Sequence, residues 1–125
     1  MSNQGSKQIL VAVDDLMFAV KITDAAKRTG LQATFVKTAE DAIIQAATSP
    51  LLIILDLNNR SIEPLGLIRD LKAGVDKSIP ILAFVSHVQG ELKQQAQDAG
   101  ANVVLARSAF TQNLQQILKR HAGAF

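Results

Sequence analysis

Two apolar runs that each end in aspartate constrain this chain more than any other feature of its sequence. Ile9–Val13 is followed directly by Asp14 and Asp15, and Leu51–Leu55 is followed by Asp56. Five consecutive residues rich in valine, isoleucine and leucine indicate strands that are buried on both faces, as in a parallel sheet. If the two strands are neighbours in one sheet, three carboxylates lie close together at one edge. Such a cluster resists ionisation unless a cation or a proton compensates the charge.

Strand-like and helix-like segments alternate along the chain. The pattern predicts five strands, at Gln8–Val13, Gln32–Val36, Leu51–Asp56, Ile79–Val85 and Asn102–Ala106. A segment with helical apolar periodicity follows each strand. The first helix is predicted at Leu16–Thr29, with Gly30 as its stop. Thr38 is the predicted N-cap of the second helix and Pro50 its end, while Pro64 is predicted to start the third.

Five alternating strand–helix units predict an α/β fold of the (βα)5 type, with helices on both faces of a parallel five-stranded sheet. Right-handed crossovers favour the flavodoxin-like three-layer sandwich with strand order 2-1-3-4-5. The first and third strands are then adjacent, so Asp14, Asp15 and Asp56 share the sheet edge at which such folds bind ligands. We expect a single domain over residues 1–125, with a core from about residue 7 to residue 121.

Composition argues against several classes of function. The chain has no cysteine, which rules out disulfides and thiolate metal sites within it. No apolar segment is long enough to span a membrane, and the polar start lacks the apolar core of a secretion signal. The 13 basic residues are spread along the chain, and tryptophan and tyrosine are absent, so direct nucleic-acid binding is not expected. We therefore expect a cytoplasmic protein that contacts neither membrane nor nucleic acid.

The residues that follow the last two strands add to the acidic cluster. Ser86 follows the fourth predicted strand, and Arg107 follows the fifth. Magnesium binds one or two carboxylates together with waters and phosphate oxygens, and an aspartate can itself accept a phosphoryl group. A hydroxyl and a cation at the same edge could hold phosphoryl oxygens. The sheet edge therefore offers the parts needed for metal-supported phosphoryl transfer to Asp56.

The same residues also have ordinary structural interpretations. Asp14 or Asp15 could cap the first helix, because aspartate is a preferred N-cap. Ser86, with Gln89 three positions on, could form a capping box for the fourth helix. Arg107 could be a surface ion-pair partner. The sequence leaves these roles open beside the chemical ones.

The chain resembles the receiver domain of bacterial two-component response regulators, in particular the single-domain chemotaxis type. The resemblance extends from about residue 7 to residue 120 and rests on four segments: Ile9–Asp15, Leu52–Asp56, Pro80–Ser86 and Ala99–Ala101. It implies a domain that signals by protein contact and is not an enzyme beyond the autophosphorylation and dephosphorylation chemistry of receivers.

The resemblance also implies a role for each site residue. Asp56 would be the phosphoacceptor and Ser86 the switch hydroxyl. Asp14, Asp15, Asp56 and the backbone carbonyl of Asn58 would bind Mg²⁺. The implied phosphodonor is a histidine kinase, a phosphotransfer protein or a small acyl phosphate. The implied partner surface consists of the fourth helix, the fifth strand and the fifth helix.

Several positions depart from the receiver pattern. Arg107 replaces the usual lysine, and its planar, bidentate guanidinium differs from the point charge of lysine. The other departures are Ser108 for proline, Asn59-Arg60 for Met-Pro, Glu63-Pro64 for Asp-Gly, His87 for a small residue and Val104 for an aromatic one.

These departures favour a second hypothesis, a pseudo-receiver that acts as an interaction module without obligatory phosphorylation. A third, a phosphatase-like or flavin-binding enzyme on the same fold, is disfavoured. Asp14-Asp15-Leu16 lacks the Asp-x-Asp pattern of such phosphatases, and no phosphate-binding loop rich in serine, threonine or glycine follows the first strand.

Overall fold

The computed structural model describes residues 7–74, 78–86 and 90–122, in which ten helices and strands alternate. The strands are β1 (Gln8–Ala12), β2 (Gln32–Phe35), β3 (Leu52–Asp56), β4 (Ile81–Val85) and β5 (Val103–Ala106). The helices are α1 (Leu16–Arg28), α2 (Ala39–Ala46), α3 (Pro64–Ala73), α4 (Gly90–Ala99) and α5 (Arg107–Ala122).

The five strands form one parallel sheet in the order β2-β1-β3-β4-β5, which confirms the predicted fold class and strand order. β1 pairs directly with β3, with Ile9 opposite Leu52 and Ala12 opposite Leu55. Every residue of β3 and β4 is buried, as their continuous apolar runs predicted. The carboxyl ends of β1 and β3 are therefore neighbours.

Two apolar layers sandwich the sheet. On one face, the buried residues of α1 and α5 pack against alternate strand residues, including Ile54 and Phe84. On the other face, α2, α3 and α4 pack against the intervening residues, including Ile53 and Leu55. The period-two alternation of strand side chains separates these layers. The described residues contain no helix with the length and apolar character needed to cross a bilayer.

Local signals set several helix ends, and those at Gly30, Thr38 and Pro64 lie where the sequence predicted them. Gly30 and Gly100 follow α1 and α4 with φ of +76° and +123°, a conformation that side chains disfavour. The hydroxyl of Thr38 accepts the backbone N–H of Asp41 at 3.0 Å and caps α2. Pro64 is the first residue of α3.

The prediction that Pro50 ends α2 was wrong. The helix ends at Ala46, and the N–H groups of Thr48 and Ser49 bond to carbonyls of its last turn at 3.0 and 3.1 Å. Ser49 then turns the chain with φ of +59°. The helix therefore ends in a local turn that carries no glycine signal. Each predicted strand is also one or two residues longer at one end than the observed strand, because the backbone pairing covers less than the whole apolar segment.

Candidate functional site

The carboxyl edge of the sheet brings three predicted site residues together. Nη2 of Arg107 lies 3.5 Å from Oδ2 of Asp56, and Nη1 lies 3.7 Å from Oδ2 of Asp15. Asp56 is only 4% exposed, Asp15 is half-buried and Asp14 is exposed. Arg107 begins α5 immediately after β5. One guanidinium therefore bridges the carboxylates that follow β1 and end β3.

Asp15 is the residue that caps α1. Its Oδ1 accepts the backbone N–H groups of Met17 at 2.9 Å and of Phe18 at 3.2 Å, while its Oδ2 faces Arg107. The sequence could not decide between Asp14 and Asp15 as the cap. The two oxygens of Asp15 serve different purposes: Oδ1 caps α1, and Oδ2 lies at the acidic edge beside Arg107.

Replacing Asp15 by alanine is expected to lower the free energy of unfolding by about 1 kcal/mol more than replacing it by asparagine. Both variants lose the charge that faces Arg107, but the asparagine side-chain oxygen can still accept the N–H groups of α1. Urea unfolding followed by far-ultraviolet circular dichroism measures the difference. Equal losses for the two variants would contradict the capping role, and Asp14→Ala is the matched control at the adjacent acid.

The carboxylate of Asp56 is held on both sides. Its Oδ1 accepts the backbone N–H of Asn58 at 2.8 Å, and its Oδ2 faces Arg107. Burial raises the pKa of Asp56 above its ordinary value, and the charges of Asp15 and Asp14 act in the same direction. The Asn58 N–H and the Arg107 charge lower this pKa, but burial outweighs them. The ionised form of Asp56 is therefore less favoured than that of an exposed aspartate.

An aromatic cluster positions Arg107. The guanidinium carbon lies 4.5 Å from the ring centroid of Phe18 and 5.7 Å from that of Phe84. The rings of Phe18, Phe84 and Phe110 pack on one another with centroids 4.6 to 5.8 Å apart. Nε of Arg107 is buried and has no hydrogen-bond partner among the described residues. Aromatic packing and two carboxylates, rather than Nε, therefore hold the arginine.

Sequence reasoning missed this cluster. Phe18 lies inside the predicted first helix. Phe84 lies inside the predicted fourth strand, and Phe110 comes one helical turn after Arg107. The spacing of three residues between Arg107 and Phe110 was the available signal, since it places both on one side of a helix.

Two asparagines in the loop between β3 and α3 join it to neighbouring strands. Oδ1 of Asn58 accepts the backbone N–H of Ser86 at 2.8 Å, which connects this loop to the end of β4. Asn59 is buried, and its Nδ2 donates to the carbonyl of Ala12 at 3.3 Å while its Oδ1 accepts the N–H of Ser61 at 2.9 Å. The sequence had indicated only the backbone carbonyl of Asn58 and had treated Asn59 as a departure. These side chains are structural parts of the site.

Ser86 follows β4 at the same sheet edge and is exposed. Its proposed capping partner Gln89 and the neighbouring His87 lie outside the described residues. The capping box and the crowding of the site by His87 therefore stay predictions. Val104, at the position where receivers carry an aromatic residue, is buried in β5.

The oxygen donors at this edge of the sheet are of the chemical type that a hard cation prefers. Carboxylates, a backbone carbonyl and water are the ligands that Mg²⁺ prefers. In the described ranges, however, no three acidic or histidine side chains are grouped so that they could hold a metal ion together. The Oδ2 atoms of Asp15 and Asp56 face Arg107 instead. The residue types fit magnesium, and the arginine lies at the oxygens that an ion would use.

Solved structures of signalling proteins share this fold. A response regulator signal receiver domain from Bermanella marisrubri is 30% identical, covers 92% of this chain and 97% of its own, and has a TM-score of 0.79. The receiver domain of a sensor histidine kinase from Pseudomonas aeruginosa PAO1 is 24% identical over 95% of this chain and 99% of its own, with a TM-score of 0.79. That structure has a magnesium ion coordinated in its active-site cleft.

A response regulator from Hahella chejuensis is 23% identical over 93% of this chain and 95% of its own, with a TM-score of 0.81. A scan against protein-family models gives no match, and neither does a search of curated protein sequences. The five-stranded parallel sheet and its five helices are those of a signalling receiver module. The chain belongs to the receiver domain family of two-component response regulators.

Proposed function

We propose that this receiver domain accepts a phosphoryl group on Asp56 and transmits the signal by protein contact. The placement of the Asp56 carboxylate carries the proposal. Its Oδ1 is engaged by the N–H of Asn58, so its Oδ2 is the oxygen available as a nucleophile, 3.5 Å from the guanidinium of Arg107. Oδ2 would form the new bond to phosphorus, and the donor's leaving group would depart with the electron pair of the broken bond.

Arg107 would act as the counter-charge for the transferred group. Its planar fork can hold two phosphoryl oxygens in a fixed bidentate geometry, which the point charge of a lysine does not impose. Ser86, which follows β4, would donate a hydrogen bond from its hydroxyl to a phosphoryl oxygen. Arg107 lies beside Asp56 before any donor arrives, so its part of the electrostatic stabilisation would be pre-organised.

The residues that would hold Mg²⁺ are Asp14, Asp15, Asp56 and the backbone carbonyl of Asn58. The ion would supply positive charge to offset the acids and the phosphoryl oxygens. The magnesium in the active-site cleft of the Pseudomonas aeruginosa receiver domain supports this part of the proposal.

The wild-type protein is expected to gain the mass of one phosphoryl group when it is incubated with acetyl phosphate and millimolar magnesium. The reaction should be slower than in receivers that carry lysine, because Arg107 already engages the nucleophilic oxygen. Intact-protein mass spectrometry measures the gain, and omission of magnesium is the control. Beryllofluoride should shift the NMR resonances of the loops after β3 and β4. Absence of both responses would contradict phosphorylation.

A second candidate function is the pseudo-receiver, and the Arg107 bridge favours it. The guanidinium neutralises part of the acidic edge from within the chain and is stacked on Phe18. A site closed in this way would not need phosphorylation to keep one conformation. If neither acetyl phosphate nor beryllofluoride changes the protein in magnesium, the pseudo-receiver is the function that remains.

The proposed donor is a histidine kinase, a phosphotransfer protein or a small acyl phosphate. The proposed surface for a downstream protein is formed by α4, β5 and α5. Val103 on β5 is 44% exposed and offers an apolar contact within it. We place the protein in the cytoplasm, as a signalling module with no catalytic activity beyond its own phosphorylation and dephosphorylation.

A further inference from the structure

We infer that Arg107 is an internal counter-ion that competes with a divalent cation for the carboxylates of Asp15 and Asp56, so that this residue sets the metal affinity of the site. The inference rests on the metal-binding part of the proposed function and goes beyond it. It assigns to one side chain the control over when the site holds a metal ion.

The guanidinium nitrogens of Arg107 lie where an ion shared by the two carboxylates would bind. Nη1 and Nη2 contact Oδ2 of Asp15 and Oδ2 of Asp56 at 3.7 and 3.5 Å. A magnesium ion lies about 2.0–2.1 Å from each ligand oxygen and demands near-ideal octahedral geometry. An ion that took both oxygens would occupy the space that faces the guanidinium. The arginine therefore has to withdraw before these two carboxylates can share an ion.

The opposite oxygens of the two acids are already engaged by the backbone. Oδ1 of Asp15 accepts two N–H groups of α1, and Oδ1 of Asp56 accepts the N–H of Asn58. A cation at either Oδ1 would have to share an oxygen that already accepts backbone N–H groups. Competition is therefore strongest at the two Oδ2 atoms that face Arg107.

Packing keeps the arginine in place. Its guanidinium lies 4.5 Å from the centroid of Phe18, a buried residue of α1. Phe18 in turn packs on Phe84 with centroids 5.0 Å apart. A planar cation stacked on an aromatic face loses less conformational freedom when it pairs with carboxylates than a free side chain does. The arginine is therefore a stronger competitor than a flexible lysine would be.

The charge balance points in the same direction. Asp14, Asp15, Asp56 and Arg107 together carry two net negative charges when all four groups are ionised. Without the arginine the same pocket carries three. Asp14 is exposed, and no hydrogen bond or ion pair joins its carboxylate to the described residues. Asp14 can therefore hold an ion weakly while Arg107 retains the other two acids.

The test compares Mn²⁺ affinity, as manganese chloride alone, between wild type and Arg107→Gln by electron paramagnetic resonance of the free ion. We expect the variant to bind Mn²⁺ about tenfold more tightly, since a positive charge within 4 Å of both ligands is gone. Arg28→Gln is the matched control. It removes the same charge from an exposed pair with Asp24 at the far end of α1, roughly 20 Å from the site. Its affinity should stay within about twofold of wild type, since that distance exceeds the screening length.

Equal or weaker Mn²⁺ binding by Arg107→Gln, or no binding by either protein at millimolar metal, would overturn the inference. If the variant does not fold, the Arg107 side-chain N–H resonances of wild type report the same event. They should shift when Mg²⁺ saturates the site, and unchanged resonances in the metal-bound protein would refute competition.

The two proposals can fail separately. A wild type that takes up phosphoryl while Arg107→Gln gains no metal affinity refutes the inference and keeps the proposed function. A gain in the variant together with an unreactive wild type supports the inference and refutes phosphorylation.

Discussion

Replacing Asp56 by asparagine is expected to abolish the mass gain from acetyl phosphate completely. The amide has no nucleophilic oxygen of comparable strength, and no other acid of the site has the same placement. Asp15 is committed to the cap of α1, and Asp14 lies outside the Arg107 bridge. Asp24→Asn is the matched control, since it removes one exposed carboxylate of α1 and keeps the nucleophile and the proposed metal ligands. A mass gain that persists in Asp56→Asn would show that another residue is modified.

The same substitution is expected to raise the free energy of unfolding at pH 7 by about 1 kcal/mol in the absence of metal. Asparagine is close in shape to aspartate and can still accept the N–H of Asn58. It removes a buried charge whose burial is the largest cause of the raised pKa of Asp56. The loss of the Arg107 contact acts against this gain. Because the pKa is raised with that contact present, the net effect of removing the charge is stabilising.

The stability advantage of Asp56→Asn over wild type is expected to depend on pH. The pKa of Asp56 is higher in the folded protein than its ordinary value of 3.8, so the folded state binds the proton more tightly than the unfolded state. The stability from that proton is fully present below pH 3.8 and is lost as the pH rises through the folded pKa. The advantage of Asp56→Asn over wild type should therefore be largest near neutral pH and vanish towards pH 3.8. Urea unfolding across this range measures it, and a difference independent of pH would contradict the raised pKa.

Replacing Phe84 by alanine is expected to lower the free energy of unfolding by about 3–5 kcal/mol. Phe84 is completely buried in the central part of the sheet, and its ring packs on Phe110 with centroids 4.6 Å apart. Truncation removes its apolar contacts and leaves a cavity between β4 and the helices α1 and α5. Phe84→Leu keeps most of the volume and should cost less than half as much. The midpoints of urea unfolding measure both effects, and a loss below about 1 kcal/mol for alanine would contradict the packing.

This cluster also connects the core to the site. Arg107 rests on Phe18 and lies 5.7 Å from Phe84, so the position of a charged site residue depends on aromatic side chains beneath it. Phe18 belongs to α1, Phe84 to β4 and Phe110 to α5. Movement of Arg107 would change its contacts with α1 and β4. At the position on the fifth strand where receivers carry an aromatic residue, this chain has the buried Val104.

Local patterns predicted the fold because strand burial and helix ends each depend on residues that are close together in the sequence. Continuous apolar runs mark strands buried on both faces, and β3 and β4 are buried throughout. Gly30 and Thr38 mark helix ends through backbone freedom and a side-chain acceptor. The end of α2 was missed because the turn at Ser49 carries a positive φ on a residue that does not signal it.

The site was predictable as a set of residues and not as an arrangement. Aspartate at the ends of two parallel strands implied proximity once the strands were adjacent, and β1 pairs with β3. The direction of each carboxylate depended on hydrogen bonds to specific N–H groups, as for Asp15 and Asp56. The hydrogen bond between the Asn58 side chain and the backbone of Ser86 joins two loops 28 positions apart. Nothing in the sequence of either loop indicates this contact.

The order of apolar and polar residues by itself determined five strand–helix units, a parallel sheet and an acidic edge, because strand burial and helix periodicity are short-range properties. Only the tertiary structure decided that Arg107 lies across two of those acids and against Phe18. Contacts of this kind join elements distant in the chain, and their geometry is set by how whole layers pack. The charge state and metal affinity of the site depend on that packing rather than on any local pattern.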